Sequence, residues 1–301
     1  MVSKNTLQGG SLLNKKKHVL FLLTVPAMLM VLLFIAVPLV NAVRISFFKW
    51  NGYSQSMKWI GLNNYTKIFS DRWFGISFWN TMLYGFGSTL LQNILGLLAA
   101  LYVNKNFRGR NAMRVIMYMP IMISAFLMGK IMYYFFQYDG GVFNEMLSLL
   151  QLNPVYWTES GTSSAIIITL VNSWQYMGLC MLIYLSGLQG VPMAYREAAC
   201  LDGANAWQEF IHVVFPLLIP AITTAVVTNL IGGFKMYDVI VSLTGGGPAN
   251  KSMSLSFYIT KLYFTDEKAG YSSAVGVGLF FIIMVITWPI NQFLHKKEVQ
   301  F

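Results

Sequence analysis

Ionisable side chains are scarce in the apolar segments of this sequence, where only Lys130, Lys235 and Asp238 occur. General acid–base catalysis needs two positioned groups near one reacting atom, and no two acids lie at helical spacing in these segments. The 3 histidines and 2 cysteines show no metal-ligand spacing. We therefore expect a chain that is not an enzyme and holds no metal or cofactor of its own.

A second polar group lies inside the apolar segment 163–187 and consists of Asn172, Trp174, Gln175 and Tyr176. Trp and Tyr rings stack on the apolar face of a sugar, and Asn and Gln amides both donate and accept hydrogen bonds. The alternative is hydrogen bonding between helices, worth about 0.6 kcal/mol for each bond in a bilayer. The group predicts either a substrate pathway or contacts between helices.

Lys235 and Asp238 are three residues apart in the apolar segment 217–243. On a continuous helix they share one face and can neutralise each other, which predicts a structural ion pair. The alternative places Lys235 against a polar or anionic substrate, because polar groups inside a membrane are costly and mark functional positions.

These residues belong to a chain of 301 residues that is 56% hydrophobic and only 11% charged. Soluble domains carry roughly 25% charged residues, so the composition predicts one membrane domain over 1–301 instead of two soluble ones. Each apolar segment is long enough to cross a bilayer as a helix. The predicted spans are 19–43, 78–103, 115–135, 163–187, 217–243 and 272–294.

The distribution of Lys and Arg predicts the orientation of these spans. One set of loops and tails, which includes both termini and the loop 189–215, carries basic residues at a higher density than the other set. Basic loops stay in the cytoplasm, so we expect both termini and that loop to be cytoplasmic. The formal charge of +10 forms no single stripe, which argues against a nucleic-acid partner.

The loop 189–215 is amphipathic and reads as two short helices joined at Gly203. Glycine adopts the left-handed conformation that ends a helix, and Asn205 with Gln208 forms a capping-box pattern that starts another. Pro216 and Pro220 then mark the entry into the next span.

The same loop contains Glu197, Ala198, Ala199, Asp202 and Gly203, followed by Phe215-Pro216 and Pro220. This arrangement resembles the EAA loop of the membrane subunits of binding-protein-dependent ABC importers. In that family the loop is a cytoplasmic coupling helix that docks on the ATP-hydrolysing subunit. Small alanines allow close approach of a partner, and a carboxylate suits a basic partner group.

Three further phrases resemble the sugar-transporting, maltose-type branch of this family: Gly61 to Tyr65, Val171 to Trp174 and Leu243 to Pro248. The resemblance implies an all-α protein with six transmembrane helices and the type I ABC importer permease fold. It also implies a carbohydrate substrate, with pathway positions extending to Gly233, Lys235 and Met236.

The implied partners are a second homologous permease, two ATP-binding subunits that hold ATP and Mg²⁺, an extracytoplasmic sugar-binding protein and membrane lipid, in a bacterial cytoplasmic membrane. The chain itself has no Gly-x-x-x-x-Gly-Lys-Ser/Thr loop for phosphate. Two alternatives remain open: import of a phosphorylated or acidic sugar, and a secondary carrier that works alone. Such carriers usually show inverted repeats, and none is visible.

Overall fold

The computed structural model describes Phe21 and residues 24–298. The predicted start of the first span at residue 19 lies outside the described residues. A bilayer offers no water to backbone N–H and C=O groups, so apolar segments satisfy these groups internally as helices. Helices accordingly dominate the described chain.

Among the described residues, five helices are long and apolar enough to cross a membrane. They are α1 (Thr24–Ser46), α3 (Arg72–Asn104), α7 (Gly161–Gly190), α9 (Ala206–Phe234) and α12 (Ala269–His295). Shorter helices are α2 (Asn63–Ser70), α4 (Arg110–Met122), α5 (Ala125–Phe136), α6 (Val142–Leu149), α8 (Met193–Leu201), α10 (Asp238–Leu243) and α11 (Leu255–Phe264). Strands β1 (Phe48–Lys49) and β2 (Lys58–Trp59) form an antiparallel hairpin with Phe48 opposite Trp59.

The third predicted span, 115–135, is not one straight helix. It consists of α4 and α5, which meet at an angle of 98°. Pro120 lies in a 3₁₀ turn at the end of α4, and Ser124 caps the start of α5 by accepting from the Leu127 N–H. The sixth span exists only if this bent pair is counted as one crossing.

The fifth predicted span, 217–243, is also interrupted, so the expectation of one continuous helix is wrong here. Helix α9 ends at Phe234, and α10 begins only at Asp238. Glycines 232 and 233 weaken the last turn of α9, because glycine is about 1 kcal/mol less favourable than alanine in a helix. The carbonyl of Met236 inside the break accepts a hydrogen bond from the Ser254 hydroxyl at 2.7 Å.

The long helices pack closely where glycines remove side-chain bulk. A methyl group on Gly96 of α3 would collide with Cys180 of α7, and one on Gly178 would collide with the backbone of Met117. Buried side chains of α3, α7 and α9 form one hydrophobic cluster, and a separate cluster joins α11 to α12.

Two regions at the ends of the bundle are named here. Residues 191–209 are called the elbow. The opposite end, which carries the β1–β2 hairpin, is called the far end.

Asp71 holds three segments together at the far end. Its Oδ1 atom accepts the Trp73 N–H at 2.9 Å and caps α3, while its Oδ2 atom accepts the Tyr258 and Tyr271 hydroxyls at 2.6 Å each. Burial raises the pKa of the Asp71 carboxyl, but the hydrogen bonds it accepts outweigh burial and hold its pKa below the usual range.

We expect Asp71→Asn to lower the free energy of unfolding of the purified protein by about 1.5–3 kcal/mol, the usual value of a hydrogen bond to a charged acceptor. Because the folded pKa is below the unfolded one, the contribution of Asp71 is complete above the ordinary aspartate pKa and is lost as pH falls through the folded pKa. Thermal unfolding between pH 3 and 7 should therefore depend on acidic pH less in Asp71→Asn than in the wild type. Asp266→Asn is the control, since among the described residues the carboxylate of Asp266 has an ion pair only with Lys268, at 3.9 Å. Equal curves for the two variants would contradict this role.

Candidate functional sites

A cavity of about 250 Å³ lies beside the break between α9 and α10. Helices α3, α5 and α7 supply the rest of its wall. Five of the residues proposed from the sequence line it: Asn172, Tyr176, Gly233, Lys235 and Met236.

Asn172 and Tyr176 reach this cavity because they are four residues apart on α7, close to one full helical turn. The Asn172 side chain is buried, and its backbone carbonyl accepts a hydrogen bond from Gln92 Nε2 at 3.2 Å. The two side chains therefore face the cavity from a helix that is fixed against α3.

The structure places Trp174 and Gln175 outside the cavity. Each residue turns a helix by about 100°, so Trp174, two positions after Asn172, points to the opposite side of α7. Gln175, three positions after Asn172, lies near the same face, but its amide has another partner. Trp174 is 41% exposed on the outer surface of α7. Gln175 is buried and donates from Nε2 to the Ile123 carbonyl at 2.9 Å, at the bend between α4 and α5. Gln175 thus satisfies a backbone group that the bend leaves open.

Lys235 and Asp238 both line the cavity, but they are not the predicted pair on one helix face. Lys235 follows the last residue of α9, and Asp238 is the first residue of α10. Among the described residues, no ion pair within 4.0 Å joins them. Because the two residues lie on either side of the helix break, the direction of one side chain does not fix that of the other. Both charged side chains remain beside the cavity.

Gln92 and Asn229 are lining residues that the sequence interpretation left unassigned. Gln92 is buried, and its Oε1 atom has no hydrogen-bond partner within the described part of the chain. Asn229 donates from Nδ2 to the Cys180 sulfur at 2.7 Å. An amide in the middle of an apolar helix was the available signal, but only packing shows which amides meet at one place.

The wall behind the cavity depends on Gly233. A methyl group there would lie 2.7 Å from the Tyr84 carbonyl oxygen and 2.8 Å from the Gly85 Cα atom. Both obstacles are backbone atoms, in the π-helical turn Leu83–Gly87 of α3. Phe234 packs in turn directly over Gly85. The last residues of α9, before the break, therefore pack tightly against the π-helical turn of α3.

The elbow forms the turn that the sequence predicts. Helix α8 ends in a Schellman motif, in which the Ala204 N–H reaches the Ala199 carbonyl at 3.0 Å and the Gly203 N–H reaches the Cys200 carbonyl at 3.1 Å. Gly203 has φ +81°, in the left-handed region, and open space around its Cα. The residue is required there for its backbone conformation and not for lack of room.

The capping box of Asn205 and Gln208 is present and starts α9. The helix then runs without interruption through Pro216 and Pro220, so the second short helix of the loop and the next span form one helix. A π-helical turn, Phe210–Val214, precedes them. An ion pair between Arg196 Nε and Glu209 Oε1, at 3.0 Å, ties α8 to the first turns of α9.

Most side chains of the elbow are exposed at one end of the helix bundle. Glu197, Ala198 and Asp202 are exposed, and Ala199 is half-buried. Large apolar side chains accompany them, with Leu201 88% and Trp207 69% exposed. The elbow thus exposes small, acidic and large apolar side chains side by side.

Comparison with known proteins identifies the class. Residues 92–295 match the family described as "Binding-protein-dependent transport system inner membrane component", and the chain belongs to that family. It is therefore a multi-pass membrane subunit of a binding-protein-dependent transport system.

Named relatives match along nearly the whole chain. The trehalose/maltose transport system permease protein MalF of Thermococcus litoralis is 30% identical over 89% of this chain and 90% of its own. The sulfoquinovosyl glycerol transport system permease protein SmoG of Agrobacterium fabrum is 32% identical over 92% and 90%. A bacterial ABC transporter that imports the acidic polysaccharide alginate contains a chain of the same fold, with TM-score 0.80 and 24% identity over 94% and 96%.

The close fit at Gly233 gives a direct test of the cavity wall. We expect Gly233→Ala to destabilise the protein by about 1–3 kcal/mol, because the new methyl group overlaps backbone that cannot move independently. Gly232→Ala is the matched control, since a methyl group at that position meets nothing within 4 Å and alanine favours the helix. Thermal unfolding in detergent compares the two. A Gly232→Ala variant that is as unstable as Gly233→Ala would show that the close contact does not matter.

Proposed function

We propose that this chain is the membrane subunit of an ATP-driven importer that carries a carbohydrate, in particular an oligosaccharide, through the cavity beside the α9–α10 break. The observation that carries the proposal is the convergence of Asn172, Tyr176, Gln92 and Asn229 on that cavity. Amides donate and accept at once, as sugar hydroxyls require, and a tyrosine ring suits the apolar face of a sugar. The transport systems named for relatives support the same substrate class.

The small cavity volume agrees with a pathway that two permease subunits complete together. Ligand sites usually enclose about 300–1,000 Å³, and this cavity holds about 250 Å³. We propose that a second, homologous permease supplies the remaining wall. An extracytoplasmic binding protein would deliver the sugar from the far end.

We propose that the elbow faces the cytoplasm and docks on one of two ATP-hydrolysing subunits, which hold ATP and Mg²⁺. Both termini of the chain would lie on the same side. Glu197, Ala198, Ala199, Asp202 and Gly203 form the contact: the alanines allow close approach, and the carboxylates suit basic partner groups. The exposed Leu201 and Trp207 add apolar area at its edges.

Helix α9 connects the elbow to the cavity, and we propose that it transmits movement of the elbow to the cavity wall. Helix α9 begins inside the elbow at Ala206 and ends at Phe234 beside the cavity. The Arg196–Glu209 ion pair makes α8 move with the start of α9. A displacement at the ATPase therefore shifts the cavity wall formed by Gly233, Lys235 and Met236.

Lys235 favours a second substrate class, an acidic or phosphorylated sugar, because it lines the cavity without an ion pair among the described residues. Asp238 beside the same cavity opposes this class by repelling an anion. We give the neutral oligosaccharide precedence, since the nearby opposite charges sum to zero.

Uptake by the reconstituted complex, measured with a panel of neutral and acidic oligosaccharides, tests the cavity. We expect Asn172→Leu to raise the half-saturating sugar concentration about 3- to 10-fold, the value of one or two hydrogen bonds of roughly 0.5–1.5 kcal/mol. Trp174→Leu is the control on the same helix and should transport normally. Lys235→Met should spare a neutral sugar and abolish uptake of an acidic one. Normal uptake of every sugar by Asn172→Leu would exclude this cavity as the pathway.

The coupling role of the elbow has its own test. Gly203→Ala forces a side chain into the left-handed region at a cost of about 1–2 kcal/mol, so we expect fewer sugar molecules imported for each ATP hydrolysed while the helices stay inserted. Gly203→Asn should restore much of the coupling, because asparagine tolerates this conformation. Gly190→Ala, at an equally open position without positive φ, is the control. Normal coupling in Gly203→Ala would contradict the role.

A further inference from the structure

Basic residues gather at the far end around one cavity. The cavity encloses about 670 Å³ and is lined by Lys49, Lys58, Lys67 and Lys268, with Glu267 as its only acidic lining residue among those described. Lysine and arginine are disfavoured in short loops on the outer side of a membrane. Four lysines around one cavity on that side therefore require a specific use.

Hydrogen bonds between segments fix the backbone around this cavity. Asn64 Nδ2 donates to the carbonyl of Ser46 at 2.7 Å and to that of Phe48 at 3.0 Å, which fixes α2 against the end of α1 and the hairpin. The Gly270 N–H donates to the Trp50 carbonyl at 3.1 Å and fixes the start of α12. The lysines thus project from a rigid frame and not from a loose loop.

The chain neutralises only part of the positive charge of the cavity: among the described residues, Glu267 lines it and Asp266 pairs with Lys268. In the part of the chain that the structure describes, Lys49, Lys58 and Lys67 have no ion pair within 4.0 Å. Lys67 lies 4.6 Å over the ring of Tyr271, and Lys268 has only the 3.9 Å pair with Asp266. The cavity is therefore suited to an anionic ligand.

The position of the cavity, at the ends of α1 and α12, points to a lipid ligand. Its frame is bonded to Ser46, the last residue of α1, and to the first turn of α12, so it lies where these two helices leave the membrane. Helix α1 packs against α12, but no residue of its most apolar stretch is fully buried, so most of this stretch is exposed to lipid. Acyl chains can lie along α1 while Trp50 stands at headgroup level.

We propose that this cavity binds the phosphate group of an anionic phospholipid of the outer leaflet. The assignment to the outer leaflet rests on the orientation given under the proposed function. A soluble partner that delivers sugar must stand over the substrate cavity, which α1, α2 and α12 do not line. The lysine cavity is lined by the hairpin and its loop, by α2 and by the start of α12, beside the end of α1, so we expect it to face the bilayer.

The test measures lipid binding to the purified complex in detergent by native mass spectrometry, with phosphatidylglycerol and phosphatidylcholine as probes. Each lysine near an anionic surface contributes about fivefold in affinity. We expect the triple variant Lys49→Gln, Lys58→Gln, Lys67→Gln to bind phosphatidylglycerol on the order of 100-fold more weakly. The control variant Lys251→Gln, Lys261→Gln changes two lysines at the same end that do not line the cavity, and it should bind normally.

Unchanged phosphatidylglycerol binding in the triple variant, or equal binding of phosphatidylcholine, would overturn the proposal. Displacement of the lipid by millimolar inorganic phosphate would assign the site to a free anion instead. Loss of affinity for the binding protein with intact lipid binding would assign it to protein docking. Lipid binding in detergent needs no transport, so failure of sugar uptake leaves this result unaffected. Labelling of Lys49 by a membrane-impermeant amine reagent in intact cells tests the leaflet separately.

Discussion

The architecture depends on one constraint: within a bilayer every backbone N–H and C=O group must find a partner inside the protein. Long helices satisfy their backbone groups through their own hydrogen bonds. The break between α9 and α10 leaves some of these groups without helical partners. Here the Lys235 N–H bonds to the carbonyls of Ile231 and Gly232, and the Ser254 hydroxyl satisfies Met236. The break can persist only because neighbouring segments satisfy it, and it is the break that opens the polar cavity. The bend between α4 and α5 follows the same rule, with Gln175 bonding the Ile123 carbonyl.

The two candidate sites lie at opposite ends of one helix. Helix α9 has 29 residues and spans about 44 Å, from the elbow to the cavity. Buried Leu218, Ala225 and Leu230 hold it against the neighbouring helices. The helix is thus a continuous connection between the elbow and the cavity, and the proposed coupling relies on it.

The far end is organised by charge and not by apolar packing alone. A single carboxylate, Asp71, gathers donors from α3, α11 and α12, while the lysine cavity next to it keeps its positive charge open. The difference is one of partners: Asp71 is satisfied by hydroxyls and backbone N–H groups, and Lys49 and Lys58 make no ion pair among the described residues. One cluster therefore fixes the fold, and the other remains available for a ligand.

The sequence by itself determined the membrane class, the positions of the long helices and the turn at Gly203, because these follow from local composition and backbone conformation. The Asn205–Gln208 capping box is local in the same sense, and the structure contains it. Only the tertiary structure decided that 217–243 is broken, that Lys235 and Asp238 are separate, and that Gln175 bonds the Ile123 carbonyl and does not line the cavity. These outcomes depend on contacts with residues far away in the chain, such as Ser254 and Ile123, and no local pattern encodes them. Gln92 and Asn229 joined the cavity for the same reason: a polar residue in an apolar helix shows that a partner is needed, and packing alone supplies the partner.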